Sequence, residues 1–277
     1  MMAAIAFALP DLCSAEPATA DSLSQPATAD TLSQPADADN SPHPAIADNS
    51  FLIEEAYNQE KGVVQHILSI ARQTGDEDGI FPSFTQEWPF FSQKHQLSYT
   101  LTYFLLLGDT DDEEVGDLLL HYRYQLGKDA WAAAPHVSLI VPLDGSSSDD
   151  DADEVGFQAN LPVSVQWTPS IVTHFNAGMQ YLEELTTPFF GGSVIAPVDR
   201  NINLMLEALW SFPEEPGFGG ETSRSQETTL SPGIRGAAMS RNVQIVPGFA
   251  VPITWHEGET ETQLFVYISI EHPFTSQ

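Results

Sequence analysis

Strict alternation of apolar and polar residues is the feature that most constrains this chain, and it recurs between residues 96 and 274. In the clearest copy, one face carries Leu118, Leu120, Tyr122, Tyr124 and Leu126. The other face carries Asp117, Leu119, His121, Arg123 and Gln125. Each run is about as long as the roughly 9–11 residues that a tilted β-strand needs to cross a bilayer. Because only helices and closed barrels satisfy the backbone in lipid, the pattern predicts an all-β, antiparallel transmembrane β-barrel.

The alternating runs divide the chain into about twelve strands, and bacterial barrels prefer an even number. We predict strands at residues 63–71, 87–92, 95–107, 116–126, 136–143, 156–167, 171–181, 192–198, 201–212, 227–238, 243–255 and 262–274. Pro89 weakens the second of these, since proline cannot donate to a sheet ladder. Near strand ends lie aromatic residues of the kind that form girdles at the membrane interfaces, namely Trp167, Trp210, Phe212, Trp255 and Phe274.

The connectors alternate in length, as they do in barrels with short periplasmic turns and longer outer loops. We predict short turns at residues 92–94, 168–170, 199–200 and 240–241. Longer links, acidic or rich in glycine, fall at residues 108–115, 144–155, 213–226 and 256–261. The turn at 127–135 does not fit this alternation. If both chain ends are periplasmic, all the long acidic links face the outside.

The first part of the chain predicts a leader in front of the barrel. Residues 1–15 resemble the end of a secretory signal peptide whose basic start is missing, and we expect the true start to lie upstream. Residues 16–50 contain a nine-residue Pro/Ala/Asp/Ser repeat that is too polar to pack, which predicts a disordered periplasmic extension. Residues 51–62 follow as a short periplasmic segment with a helix at 52–58, and residues 63–274 form the barrel.

Charge and cysteine content exclude several classes of protein. Asp and Glu number 39 against 9 Lys and Arg, so the formal charge of -30 repels nucleic acid and attracts cations. The single cysteine, Cys13, lies in the leader, so the mature chain has no disulfide and no cysteine metal site. The acidic run at 149–154 lacks the spacing of an EF-hand calcium loop, which favours a solvated loop over a calcium site.

Several segments resemble those of a known family in their amino-acid sequence and in their order along the chain: FLIEEAYNQEKGVVQHI, GDLLLHYRYQLG, HVSLIVPL, NLPVSVQ, NLMLEALW, LSPGIRGA, VPGFAVPI and ISIEHPF. Together they are similar to the outer-membrane proteins of the MetA-pathway phenol-degradation family, over residues 51–274. The resemblance implies a β-barrel that passes small molecules, aromatic or otherwise hydrophobic, across the outer membrane. It implies no catalytic residues, and the family name does not establish a substrate.

The polar side chains on the inward faces are the candidates for lining the lumen. They are His121, Arg123, Gln125, Asn160, His174, Asn176, Glu207, Arg235, Tyr267 and Glu271. Glu207 with Arg123 or Arg235 forms either a structural ion pair or an element of ion selectivity. His121, His136 and His174 are favoured as ordinary lumen histidines over a metal or acid–base trio, because no spacing brings them together.

The sequence thus predicts a passive outer-membrane channel for small solutes, with no cofactor, no metal and no catalytic residues. Its expected partners are outer-membrane lipids, the barrel-assembly machinery and a small-molecule solute. One alternative is a plugged structural or surface-interaction barrel that transports nothing. A barrel enzyme is a third reading, although the serines at 193 and 231 lack the strand-to-helix context of a nucleophile elbow.

Overall fold

The computed structural model describes residues 50–74, 79–106, 112–143, 155–182, 185–216, 222–240 and 242–274. The expected signal peptide, nearly all of the repeat region and the acidic run at 149–154 lie outside these residues. The described residues form one antiparallel sheet that closes into a barrel of 12 strands, as the alternation predicted.

Nineteen strand segments build the sheet, because several barrel strands are interrupted. Their bounds are β1 Val63–Thr74, β2 Gly79–Phe90, β3 Ser92–Leu106, β4 Asp112–Tyr124, β5 Leu126–Gly127, β6 Trp131–Ala133, β7 His136–Val141, β8 Gly156–Asn160, β9 Val163–Thr168, β10 Ile171–Leu182, β11 Leu185–Asp199, β12 Ile202–Ser211, β13 Glu214–Pro216, β14 Thr222–Arg224, β15 Glu227–Gly236, β16 Ala238–Ser240, β17 Val243–Ala250, β18 Ile253–His256 and β19 Glu259–Pro273.

Proline accounts for three of the interruptions. Pro135 separates β6 from β7, Pro162 separates β8 from β9, and Pro252 separates β17 from β18. Proline has no N–H to give to a ladder, so regular pairing stops at each of them. The residues beside the prolines keep the sheet joined, since Ala134 N–H donates to the Pro162 carbonyl at 2.9 Å and Val251 N–H donates to the Pro232 carbonyl at 3.0 Å.

The barrel closes where its first and last strands meet. β1 pairs with β19 in an unbroken antiparallel register from Val63↔Pro273 to Thr74↔Thr262. On its other side β1 pairs with β2, and once interrupted segments such as β6 and β7 are joined into one barrel strand, each barrel strand pairs with the next along the chain. Closure gives each strand a partner on both sides, which removes the free edges that an open sheet would expose.

The two faces of the wall differ as the period-two pattern requires. On β4, Leu120 is 45% exposed on the outside, whereas the adjacent Leu119 and His121 are 1% and 5% exposed on the inside. Other outward side chains are equally apolar, among them Leu139, Phe157, Phe175, Leu204, Leu206 and Val266. None of the described residues forms a helix long and apolar enough to cross a membrane.

Several predicted boundaries need correction. The second strand is β2 Gly79–Phe90 rather than 87–92, because the sheet accepts Pro82 and Pro89 within it. The link predicted at 256–261 is a tight turn, in which Glu257 and Gly258 adopt φ of 49° and 91° and join β18 directly to β19. The helix predicted at 52–58 is not formed. Phe51, Ile53 and Tyr57 fit a helical pattern only in part, and their burial has another cause, given below.

Candidate functional site

Residues 50–59, hereafter the plug, run through the inside of the barrel without regular secondary structure. All of them are buried, and Ser50, Ile53, Ala56 and Gln59 are 0% exposed. An irregular buried segment must find partners for its backbone N–H and C=O groups. The barrel wall supplies them from its inward side chains, so the plug and the polar inner face form one hydrogen-bonded unit.

Glu207 holds the first turn of the plug. It lies on the inward face of β12, between Leu206 and Ala208, and is 0% exposed. Its Oε1 accepts hydrogen bonds from the Leu52 and Ile53 N–H groups at 2.8 and 3.0 Å, and its Oε2 accepts one from the Phe51 N–H at 3.1 Å. A carboxylate with three convergent N–H donors is a strong anchor, because bonds to a charged group are stronger than neutral ones.

Neutral side chains hold the rest of the plug backbone. Asn176 makes two bonds of 2.8 Å to Glu54, accepting from its N–H and donating to its carbonyl. Further along, the wall side chains accept one plug N–H each, in the pairs Ala56 with Ser164 at 2.8 Å, Asn58 with Gln125 at 2.7 Å and Gln59 with Gln96 at 2.8 Å. The plug is therefore bound along its length by hydrogen bonds from separate strands of the barrel.

The two plug glutamates each meet a histidine that is next to a serine. His136 Nδ1 donates to Glu54 Oε2 at 2.7 Å, and His136 Nε2 lies 3.5 Å from Ser138 Oγ. On the nearby strands β9 and β10, Glu55 Oε2 lies 3.9 Å from His174 Nε2, and His174 Nδ1 lies 2.7 Å from Ser164 Oγ. These glutamate, histidine and serine groups connect the plug to the wall.

Arg123 and Glu87 reinforce the centre of the plug. Arg123 Nη1 donates to the Glu55 carbonyl at 2.8 Å, and its Nη2 lies 3.8 Å from Glu87 Oε2. Glu87 also accepts from Gln96 Nε2 at 2.7 Å, and Gln96 in turn accepts the Gln59 N–H. The buried charges are thus paired and hydrogen-bonded, as the desolvation cost of an unpaired charge requires.

A hydrophobic pocket receives the ring of Phe51 near the start of the plug. The ring centroid lies 5.4 Å from that of Phe265 and 5.2 Å from that of Tyr267. Two glycines make room for it, since an added Cβ would lie 3.0 Å from the ring at Gly233 and 2.4 Å from it at Gly248. Glycine at these strand positions is explained by the close approach of the plug.

All ten candidate residues predicted from the sequence lie on the inside of the wall. The ones that contact the plug are Arg123, Gln125, His174, Asn176, Glu207, Tyr267 and Glu271. The other three, Asn160, His121 and Arg235, are buried in the wall, where Asn160 donates to Asn176 at 3.3 Å and His121 Nδ1 lies 2.7 Å from Ser138 Oγ.

The histidine trio is brought together only in part. The rings of His121 and His136 are 5.3 Å apart, while His174 bonds to Ser164 on other strands. Among the described residues, no group of three His, Cys, Asp or Glu side chains has the geometry to hold a metal ion. Sequence reasoning missed the residues of the plug itself, and with them the pairing partners Ser164, Glu87 and Gln96. Period-two alternation places those three on the inward face but does not say what they bind.

The two mouths of the barrel differ in charge. The mouth remote from Val63 and Pro273 is the one at which the strands flank residues 75–78, 107–111, 142–155, 183–184, 212–226 and 257–258. These sequences are acidic and contain one basic residue, Arg224, which pairs with Glu214 at 2.9 Å. Around the other mouth lie Lys61, Lys94, Lys128 and Arg200, in or beside the turns that precede β1, β3, β6 and β12. The barrel therefore carries a charge gradient along its axis.

The end of the plug borders a cavity of about 330 Å³ at the lysine-bearing mouth. Tyr57, Gln93, Lys94, Gln125 and Lys128 are among the residues that line it. Burial, then the nearby carboxylates of Glu55 and Asp129, raise the pKa of the Tyr57 phenol to about 12. The hydroxyl therefore stays protonated, and it donates a hydrogen bond of 3.1 Å to the Asp129 backbone carbonyl.

Solved structures that are similar to this chain include outer-membrane barrels. An outer-membrane channel from Pseudomonas putida F1 superposes with a TM-score of 0.55 at 12% sequence identity, over 78% of this chain and 97% of that chain. The chain has the fold of an outer-membrane β-barrel. The NanC porin matches with a TM-score of 0.51 at 7% identity, over 74% of this chain and 98% of that one.

A third structure, the KdgM porin, matches with a TM-score of 0.50 at 10% identity, over 76% of this chain and 99% of that one. No protein-family model matches the sequence, and no curated protein does. At such low identities the likeness shows the fold and leaves the solute open.

Proposed function

We propose that this protein is an outer-membrane channel for small molecules whose lumen is closed by the plug and opens when the plug leaves the wall. The observation that carries this proposal is the chemistry of plug binding. From Phe51 to Gln59 the wall side chains hydrogen-bond the plug backbone at regular intervals, beside two small apolar clusters, one at Phe51 and one at Ala56 and Tyr57. A retained structural core would be expected to rely more heavily on apolar burial.

Hydrogen bonds of this kind are exchangeable. When the plug moves away, water that enters the lumen can satisfy both the wall side chains and the plug N–H groups, so each neutral bond contributes only about 0.5–1.5 kcal/mol net and each bond to the Glu207 carboxylate about 1.5–3 kcal/mol. The apolar contacts are small and lie towards the two ends of the plug, where Phe51 meets Phe265 and Tyr267, and Ala56 and Tyr57 cluster with two wall alanines. A segment held this way can be released without dismantling the barrel wall.

The kind of solute is the finer part of the proposal. The resemblance of residues 51–274 to the MetA-pathway phenol-degradation family supports small aromatic or otherwise hydrophobic molecules. The acidic connectors at one mouth favour cations and disfavour anions there, so uncharged or cationic solutes are expected to enter more readily. With the leader on the periplasmic side, the acidic mouth would face outward and the lysine-bearing mouth inward.

A barrel that stays permanently plugged is the second candidate, and the complete burial of residues 50–59 favours it. In that case the polar network would serve stability or a surface interaction and no solute would pass. The two candidates differ in one property, namely whether the plug moves.

A disulfide lock separates them. Ser50 Oγ and Ser193 Oγ are 2.9 Å apart, so Ser50→Cys with Ser193→Cys, in a Cys13→Ser background, places two thiols in bonding range across the plug and wall. The protein is reconstituted in liposomes, and swelling is followed with aromatic and sugar solutes. Single Ser50→Cys and Ser193→Cys variants are the matched controls.

Each result has a defined meaning. Flux that is lost on oxidation, restored by reductant and unaffected in the single-cysteine controls supports a moving plug. Equal flux in the locked and reduced forms means that solute passes beside the plug, which overturns the gating part. Absence of flux in the wild-type and reduced proteins favours the permanently plugged barrel.

A catalytic role for the glutamate, histidine and serine groups is not favoured. Ser164 Oγ already accepts the Ala56 N–H and faces His174, and it is 0% exposed. A nucleophile needs an approach for its substrate, and the plug occupies that position. We assign these groups to plug binding.

A further inference from the structure

Two histidines face each other on the outside of the barrel, where its first and last strands meet. His66 lies on β1 and His272 on β19, and their Nε2 atoms are 3.2 Å apart. His66 points outward, because the neighbouring Gln65 and Ile67 point inward and are 0% and 6% exposed, and His272 lies on the same face because it is opposite Val64. The pair is diagonal in the ladder, where Val64 is opposite His272 and His66 is opposite Ile270.

We propose that His66 and His272 form a binding site for a divalent transition metal ion, of the class Zn²⁺, Ni²⁺ or Cu²⁺, which clips the seam of the barrel. The spacing supports this. Two imidazole nitrogens bound at about 2.0–2.1 Å in a tetrahedral site lie about 3.3 Å apart. The observed separation of 3.2 Å is close to this value.

The protonation of His272 also suits a ligand. Its Nδ1 lies 3.2 Å from the Pro273 carbonyl oxygen, which can only accept, so Nδ1 carries the proton and Nε2 presents its lone pair. Histidines that bind metals usually donate their other N–H in this way, which fixes the tautomer and the ring orientation. In the metal-free pair His66 Nε2–H donates to His272 Nε2. Binding of the ion displaces that proton to Nδ1 of His66 or to solvent.

The site is an open one. Among the described residues, no third His, Cys, Asp or Glu completes a metal-binding group, so water would fill the remaining positions. Imidazole suits Zn²⁺, Cu²⁺ and Ni²⁺, whereas the carboxylates that dominate this chain prefer Mg²⁺ and Ca²⁺. The site is thus expected to be selective for transition metals in spite of the large acidic excess.

The position of the pair gives binding a structural consequence. The two histidines are 206 residues apart in sequence and come together only when β1 pairs with β19. A ligand that binds the closed barrel and not the unfolded chain stabilises the closed state by mass action. The metal is therefore expected to make the barrel more resistant to unfolding.

The test uses the full chain, without a polyhistidine tag, refolded in detergent micelles with excess Mg²⁺ to occupy carboxylates. Zn²⁺ and Ni²⁺ binding is measured by calorimetry, and Cu²⁺ binding by electron paramagnetic resonance, which counts the coordinating nitrogens. We expect one equivalent bound, two nitrogens on copper and a higher unfolding midpoint with metal. His66→Gln and His272→Gln should each weaken binding at least about tenfold, since even the loss of an outer-shell partner has effects of that size.

His95→Gln is the matched control. His95 is another partly buried histidine at the same end of the barrel, but its Nδ1 is bonded to Tyr122 Oη at 2.7 Å. The His95→Gln variant should bind the metal ion with the same affinity as the wild type. The proposal is overturned if the two seam variants bind metal as well as the wild type, if copper shows fewer than two nitrogens, or if His95→Gln weakens binding equally. Because the copper spectrum reports ligands directly, a variant that folds poorly does not obscure the wild-type result.

Discussion

Removal of the charge at Glu207 is the most direct perturbation of the plug. In Glu207→Gln the remaining carbonyl oxygen can still accept from Leu52 and Ile53, but the new amide NH₂ faces the Phe51 N–H, a donor against a donor. A hydrogen bond to a charged group contributes about 1.5–3 kcal/mol, and a neutral one about 0.5–1.5 kcal/mol. Even at the lower ends of these ranges, loss of one charged bond and weakening of two others should cost the bound plug at least about 3 kcal/mol.

Hydrogen exchange of the plug amides measures this cost. At about 1.4 kcal/mol for each factor of ten, release of the plug should become at least about a hundredfold more frequent, and exchange at residues 51–53 should accelerate by the same factor. Exchange in the strands should change little, because the plug can open without the wall. Ser193→Ala is the control, since it removes only the bond to the Ser50 hydroxyl. If residues 51–53 exchange equally fast in Glu207→Gln and in Ser193→Ala, the carboxylate does not hold the plug.

Two further substitutions test the wall and the Phe51 pocket. Leu120→Arg puts a charge on the outer face of β4 and should lower the free energy of unfolding by about 2–4 kcal/mol in refolding titrations. Leu126→Arg, near the strand end, should lower it by at most about 1 kcal/mol. Equal losses would show that the outer face does not meet lipid as proposed. Gly248→Ala puts a Cβ 2.4 Å from the Phe51 ring and should increase the rate at which a protease cleaves the plug. Gly236→Ala, whose Cβ meets only a backbone oxygen at 3.3 Å, should leave that rate unchanged. If neither variant is cleaved faster than the wild type, the packing described for Phe51 is contradicted.

Alternation was enough to predict which side chains point inward. A strand turns successive side chains to opposite faces, so assigning Leu120 to the outside also assigned His121 and Arg123 to the inside. The inward placement of Glu207 and Asn176 follows from the same rule on β12 and β10. The limits of β2 were harder to predict, because Pro82 and Pro89 suggest a break and the tolerance of the sheet for them depends on its neighbours.

The plug could not be predicted in the same way. Its binding depends on contacts between distant residues, such as the 156 positions between Phe51 and Glu207 and the 108 between Ala56 and Ser164. Phe51, Ile53 and Tyr57 partly match a helical period, which favoured a helix outside the barrel. These residues are buried because the plug lies inside the barrel, and no local sequence pattern predicts that position.

The sequence by itself determined that the chain forms a closed wall with an apolar outside and a polar inside. Successive side chains of a strand point to opposite faces, so the hydropathy of each residue indicates the face on which it lies. It also determined the acidic character of one set of connectors. Only the tertiary structure decided what the polar inner face binds and which outer side chains meet across the seam. Closure of the barrel brings together side chains that are far apart in the chain, and neither the hydrogen bonds of Glu207 nor the pairing of His66 with His272 exists until the first and last strands meet.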